Sequence, residues 1–115
     1  MISAMLKRSH TAVLEKNETY AADFDTEPYE AGWAGEALFF VRVLGSEGSG
    51  PLTGSVQISP DGLHWCDEGS TIGPINEPGL HAVAVNNFGG WLRLSCRIDN
   101  GSQFKLMVTL ALKES

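Results

Sequence analysis

Helical periodicity is almost absent from these 115 residues, no apolar run is long, basic residues are scarce, and cysteine occurs twice. Each shortage excludes something. A membrane-spanning helix needs about 20 apolar residues in a row, and runs such as Ala37-Leu38-Phe39-Phe40-Val41 stop well short of that. Lys7 and Arg8 lead straight into Ser9, His10 and Thr11, without the apolar stretch that follows the basic residues of a signal peptide. The expected location is therefore the cytoplasm or a virion-like particle. With 8 Lys and Arg against 14 Asp and Glu, the net charge of −6 argues against nucleic acid or an anionic membrane as the main partner. Two cysteines make no disulfide scaffold, and without export Cys66 and Cys96 are expected as thiols. His10, His64 and His81 have no ligand spacing and no Cys-x-x-Cys occurs, so neither a metal nor a cofactor is expected.

What is present is a globular composition, 43% hydrophobic and 19% charged, in a chain long enough for one domain and too short for two. The expected unit is a single domain over residues 1–115, with residues 1–10 as an N-terminal arm. From about residue 11 onward the pattern is alternation broken by turn residues. Phe104, Leu106, Val108, Leu110 and Leu112 share one parity, as do Leu92, Leu94, Cys96 and Ile98. Between these runs, Asp99-Asn100-Gly101-Ser102 carries an Asn-Gly pair suited to positive φ, which predicts a hairpin. Pro60-Asp61-Gly62 predicts a second hairpin, between the alternating Leu52–Ser59 run and a short strand at His64-Trp65-Cys66. Thr11–Glu15, Thr19–Phe24, Ala37–Leu44 and Leu80–Val85 complete about eight strands. Glu27–Gly35 reads as a loop, and Gly45–Pro51 as a mobile surface loop. The fold class is all-β: an antiparallel β-sandwich, jelly-roll or immunoglobulin-like, with a small barrel as the alternative.

One strand breaks the sandwich rule. Ala37, Phe39, Val41 and Val43 form one apolar face, yet Leu38, Phe40 and Leu44 make the other face apolar too, with Arg42 its only charge. A strand in a two-layer sandwich buries one face. Something is expected to cover the second: the N-terminal segment folded back, or a partner subunit. The partner reading predicts a homo-oligomer or docking onto a capsid-like assembly.

Ser59-Pro60-Asp61-Gly62-Leu63-His64-Trp65 is the most distinctive stretch. It resembles the Asp-box hairpin of sialidase-type propellers (Ser-x-Asp-x-Gly-x-x-Trp), although here glycine follows the aspartate directly. In that family the motif is a folding element, and a single copy cannot build a propeller. The plain reading is a well-formed turn with Trp65 packed across it. Together with Gly90-Trp91-Leu92-Arg93-Leu94, the stretch is also similar to β-sandwich modules of phage and virus-like structural proteins. That resemblance spans about residues 52–112 and implies a structural or decorating role rather than an enzymatic one.

Candidate contact residues are Trp33, Leu38, Phe40 and Trp91. The alternative function is a carbohydrate-binding module, in which Trp65 or Trp91 stacks on sugar rings and Asn86, Asn87 and Asp61 bind hydroxyls. His64 beside Cys66 suggests a thiol-imidazole pair, but no orienting third group or oxyanion site accompanies it. Seven acids, Glu15, Glu18, Asp23, Asp25, Glu27, Glu30 and Glu36, precede or open the apolar strand. They read first as a solvated face, then as a calcium site, then as a docking surface for a basic partner.

Overall fold

A computed structural model describes residues 8–99 and 101–114. Nine strands follow in chain order: β1 (Ser9–Tyr20), β2 (Phe24–Asp25), β3 (Tyr29–Glu30), β4 (Glu36–Glu47), β5 (Leu52–Ser59), β6 (Cys66–Ile75), β7 (Gly79–Asn86), β8 (Trp91–Ile98) and β9 (Gln103–Lys113). The first sheet has the order β1-β9-β4-β7, and the second the order β2-β8-β5-β6 with β3 also paired to β8. All pairings are antiparallel. Because β2 and β3 run along one edge of β8, they count as one interrupted strand, and the eight-strand order is then that of a jelly roll.

Alternation builds the core. Ala37, Phe39, Val41 and Val43 of β4 meet Phe104, Leu106, Val108, Leu110 and Leu112 of β9 across their shared register, all buried. The second sheet contributes Leu52, Val56, Leu92, Leu94, Cys96 and Ile98 to the same cluster. Cys96 packs there as a small apolar group, while Cys66 is exposed, and the two are not bonded.

Several expectations change. The expected hairpin at Asp99–Ser102 is a turn between sheets. Ser102 N–H donates to the Asp99 carbonyl at 3.1 Å, but β8 and β9 lie in different sheets and do not pair. Both strands alternate because each covers the core from its own side, so alternation around a tight turn does not distinguish a hairpin from a crossing. Asn100 itself lies outside the described residues. The loop expected at Glu27–Gly35 contains β3, two residues whose pairing to Leu92 and Trp91 alternation cannot reveal. The short strand expected at 64–66 is instead the long β6, which starts at Cys66 and whose pairing to β5 is interrupted by register shifts.

Gly45–Pro51 is only in part a loop. β4 runs on to Glu47, and the turn that follows lies against the Asp99–Ser102 turn. A Cβ at Gly48 would stand 2.7 Å from the Gly101 carbonyl oxygen, and one at Gly50 2.3 Å from Asp99 Cβ, so these glycines permit close approach. Gly50 N–H donates to Ser102 Oγ at 2.9 Å.

The described N-terminal residues do not fold back over β4. Residues 9–20 extend the first sheet beyond β9, with Ser9 opposite Lys113 and His10 opposite Leu112. Residues 1–7 of the expected arm lie outside the described residues.

Candidate functional site

Cross-strand register places the outward side chains of the first sheet in rows. Thr11, Ala111, Leu38 and Ala84 form one row; Val13, Thr109, Phe40 and Ala82 form the next. Neither row contains a charge. A third row holds Met107, Arg42 and Leu80, and Leu44 follows at the register shift after Val43. Leu38, Phe40 and Met107 are half-buried among their neighbours, whereas Val13 is 54% and Leu80 64% exposed. Charges return at the rim, with Lys113 and Glu36 above and Lys105 below. Where Ala84 and Ala111 flank Leu38, the face dips into a depression of about 160 Å³.

Among the described residues nothing covers this face. Leu38 and Phe40 were legible in the sequence because one strand carried both apolar faces. Leu80, Ala82, Ala84, Met107 and Ala111 complete the surface and were missed. Their signal was the absence of charge at alternate positions of 80–84 and the apolar pair between Lys105 and Lys113.

Trp33 and Trp91 do not join Leu38 and Phe40. Trp33 lies at the open edge of the sandwich, in a cleft of about 370 Å³ with Arg8, Ser9, His10 and Tyr29. The Arg8 guanidinium sits 4.3 Å from the Trp33 ring centroid, and the His10 and Tyr29 rings stack at 6.1 Å. Further along the same edge, Tyr20 stacks on Phe24 at 3.7 Å and donates its hydroxyl to Glu15. Burial and the adjacent Glu15 carboxylate push the Tyr20 phenol well above its usual range. These pairs close the gap between β1 and the β2–β3 edge.

The distinctive turn is a closed hydrogen-bond unit. Ser59 Oγ accepts from Asp61 N–H at 3.2 Å and Gly62 N–H at 2.8 Å, and donates to Asp61 Oδ1 at 3.0 Å. Asp61 Oδ1 also accepts from the Leu63 and His64 amides, each at 2.9 Å, and Oδ2 meets His64 Nδ1 at 2.7 Å. The His64 bonds and the Leu63 amide together hold the Asp61 carboxyl well below the usual carboxylate range. His64 is thereby turned to Asp61, so the geometry builds no couple with Cys66.

The tryptophan packed across this turn is Trp91, not Trp65. A Cβ at Gly62, where φ is +81°, would stand 3.1 Å from the Trp91 ring. Trp65 carries the Arg93 guanidinium at 4.3 Å, and Arg93 Nε donates to Gln57 Oε1 at 2.8 Å. Asn87 lies with Phe88, Ala34, Gly35 and Asn86 around a recess of about 570 Å³ that no tryptophan lines. The candidate sugar-binding residues are therefore distributed: Asp61 is saturated by its own turn, and each ring has a face in use.

The acidic segment is partly structural. Asp23 Oδ1 accepts from Ile98 N–H at 2.8 Å, and Asp25 pairs with Arg93 at 3.5 Å. Among the described residues no group of three or more His, Cys, Asp or Glu side chains is arranged to hold a metal ion. Among the described residues no helix is long and apolar enough to cross a membrane.

No protein-family model matches the chain, and no curated protein matches it. Solved structures do share its fold. The SPBc2 prophage-derived protein YomS superposes with a TM-score of 0.60 at 10% identity, covering 95% of this chain and 96% of that one. The PBSX exported protein XepA gives 0.56 at 14% identity over 96% of this chain and 37% of that one. A chain from the structure of infectious bursal disease virus, Gx strain, gives 0.57 at 8% identity over 95% and 33%. The chain thus spans nearly all of YomS and about a third of the other two. The expected likeness to β-sandwich modules of phage and virus-like proteins holds at the level of the fold.

Proposed function

We propose that this protein is a non-enzymatic structural subunit that assembles through the outward face of its first sheet. One observation carries the reading: two adjacent rows of that face, from Thr11 and Val13 to Ala84 and Ala82, contain no charge and surround Leu38 and Phe40. A contiguous apolar surface of this kind marks an association site. Fully burying an exposed large side chain contributes roughly 1.5–3 kcal/mol, and covering exposed Leu80 with half-buried Leu38 and Phe40 contributes part of that for each, which offsets some of the cost of association. The occupant is a second copy of the chain, built into a larger particle. The fold shared with a prophage-derived protein and a viral chain supports a phage-like setting for that particle. Location in a virion or similar particle follows from the same reading.

Carbohydrate binding is the rival, and the geometry gives it less support, because its candidates do not converge: Asp61 is held by its own turn, and Asn86 and Asn87 line a recess that no tryptophan lines. Size-exclusion chromatography with light scattering tests the main reading. Phe40→Glu is expected to lower the assembled mass without unfolding the protein. An unchanged mass at every concentration would count against it. Glycan capture lost on Trp91→Ala would favour the rival.

A further inference from the structure

A sheet edge exposes unpaired backbone donors and acceptors, and proteins blunt such edges with charge, proline, bulges or brevity. Three of the four edges here are blunted in these ways. β1 has register shifts around Glu15, a positive φ at Asn17, and the charges of Glu15, Lys16 and Glu18. The β2–β3 edge consists of two-residue strands separated by Glu27 and Pro28. β6 contains Pro74, carries Asp67 and Glu68, and pairs with β5 through two register shifts. β7 has none of these devices. It pairs with β4 without interruption from Val43–Gly79 to Glu36–Asn86, and Gly79-Leu80-His81-Ala82-Val83-Ala84-Val85-Asn86 holds no Asp, Glu, Lys, Arg or Pro. Its other side has no strand partner among the described residues.

We infer that β7 pairs with β7 of a second copy in antiparallel fashion about a two-fold axis, joining two four-stranded sheets into one of eight strands. The inference rests on the assembly reading and names the geometry of its first contact. Three observations select a second copy as the occupant. The strand is self-complementary: pairing centred on Ala82 or Val83 sets Leu80, Ala82 and Ala84 on the same outward face in both copies. No like charges meet, because the strand has none of the acidic or basic residues. The acids of β1 and of the β2–β3 edge lie across the sandwich from β7, so they stay apart when two chains of net charge −6 join, and the acids nearer the join include Asp67 and Glu68 of β6 and Glu77 before β7. The join also makes the apolar face continuous across the two-fold axis. A second contact, on the Phe40 face, then extends the assembly beyond two copies.

Cysteine scanning tests the edge. In a Cys66→Ser background, with Cys96 buried, Ala82→Cys and Val83→Cys are compared with Thr109→Cys, which lies mid-face on β9. Under oxidised glutathione, one of the β7 cysteines is expected to give a disulfide dimer of twice the chain mass, whether or not Thr109→Cys, on the second contact, also cross-links. Hydrogen exchange on the unmodified protein supplies a second readout that needs no folded variant: protection of β7 amides is expected to rise with protein concentration. An assembled protein whose β7 amides exchange equally fast at all concentrations, or that cross-links only through Thr109→Cys, overturns the edge pairing and leaves the assembly reading standing. A monomer at every concentration overturns both.

Discussion

The outward positions of β4 read Leu38, Phe40 and Arg42, whereas those of β5, which holds the equivalent place in the other sheet, read Thr53, Ser55 and Gln57. The difference continues into the neighbouring strands. Beside β4 stand Ala82, Ala84, Thr109 and Ala111; beside β5 stand Arg93, Ser95 and Arg97. The second sheet satisfies its outward surface internally, through Arg93 on Gln57, Asp25 and the Trp65 ring, and through Arg97 with Asp23 at 3.9 Å. Exposed pairs of that kind stabilise little, but they make a surface that water already solvates well. The first sheet has no such network across its central rows. Two sheets that share one core thus present one outward surface rich in polar and charged pairs and one whose central rows carry no charge.

The sharpest test of that contrast lies within a single strand. Phe39→Ala empties a fully buried core position and is expected to cost about 3–5 kcal/mol in urea unfolding. Phe40→Ala, one residue along on the outward face, is expected to cost the isolated chain less, about 1–2 kcal/mol, because its ring is only half-buried. Equal losses at low protein concentration would mean that the outward face is already packed within the monomer. Next comes a comparison between the sheets. Phe40→Glu is expected to lower the scattering mass, whereas Thr53→Glu on β5 is expected to leave it at the wild-type value; a similar drop for both would remove the distinction.

Much of this was legible beforehand for physical reasons. Alternation in 104–112 and 92–98 places the core because one side of each strand must be dry. The two-sided apolar character of 37–44 likewise makes the uncharged outward face legible. The crossing at Asp99–Ser102 was hidden, since a tight turn has the same residue requirements whether it joins paired strands or opposite sheets. The role of Trp91 was hidden too. Its packing on Gly62 arises from register between β5 and β8, which pairs Ser59 with Trp91 across the chain. The distinctive turn is legible as a turn, though not its partner ring, because Ser, Asp and Gly at 59, 61 and 62 are the residues its hydrogen bonds and positive φ require.

Smaller effects sharpen the division between core and surface in the second sheet. Cys96 is buried, and its thiol is pushed up to about 12 by that burial first and by Asp25 and Glu15 next. It is expected to resist iodoacetamide at pH 8 while exposed Cys66 reacts, giving one label per native chain and two after denaturation by mass spectrometry. Because the folded thiol stays protonated while the unfolded one ionises from about 9, stability is expected to fall between pH 9 and 12. Cys96→Ala is expected to flatten that alkaline slope, and an unchanged slope would contradict the assignment. Asp61 acts in the opposite direction. Its carboxyl is lowered from 3.8, so its stabilising bonds are complete above that range and weaken as pH falls below it. Asp61→Asn is expected to flatten the acid limb of thermal stability slightly.

In the proposed assembly the outward face of the first sheet is covered by another copy of the chain. Multi-angle light scattering of the unmodified protein across a hundredfold range of concentration tests it directly. The account predicts a mass above one chain that rises with concentration toward a defined assembly. A constant 12.4 kDa across the whole range would contradict it.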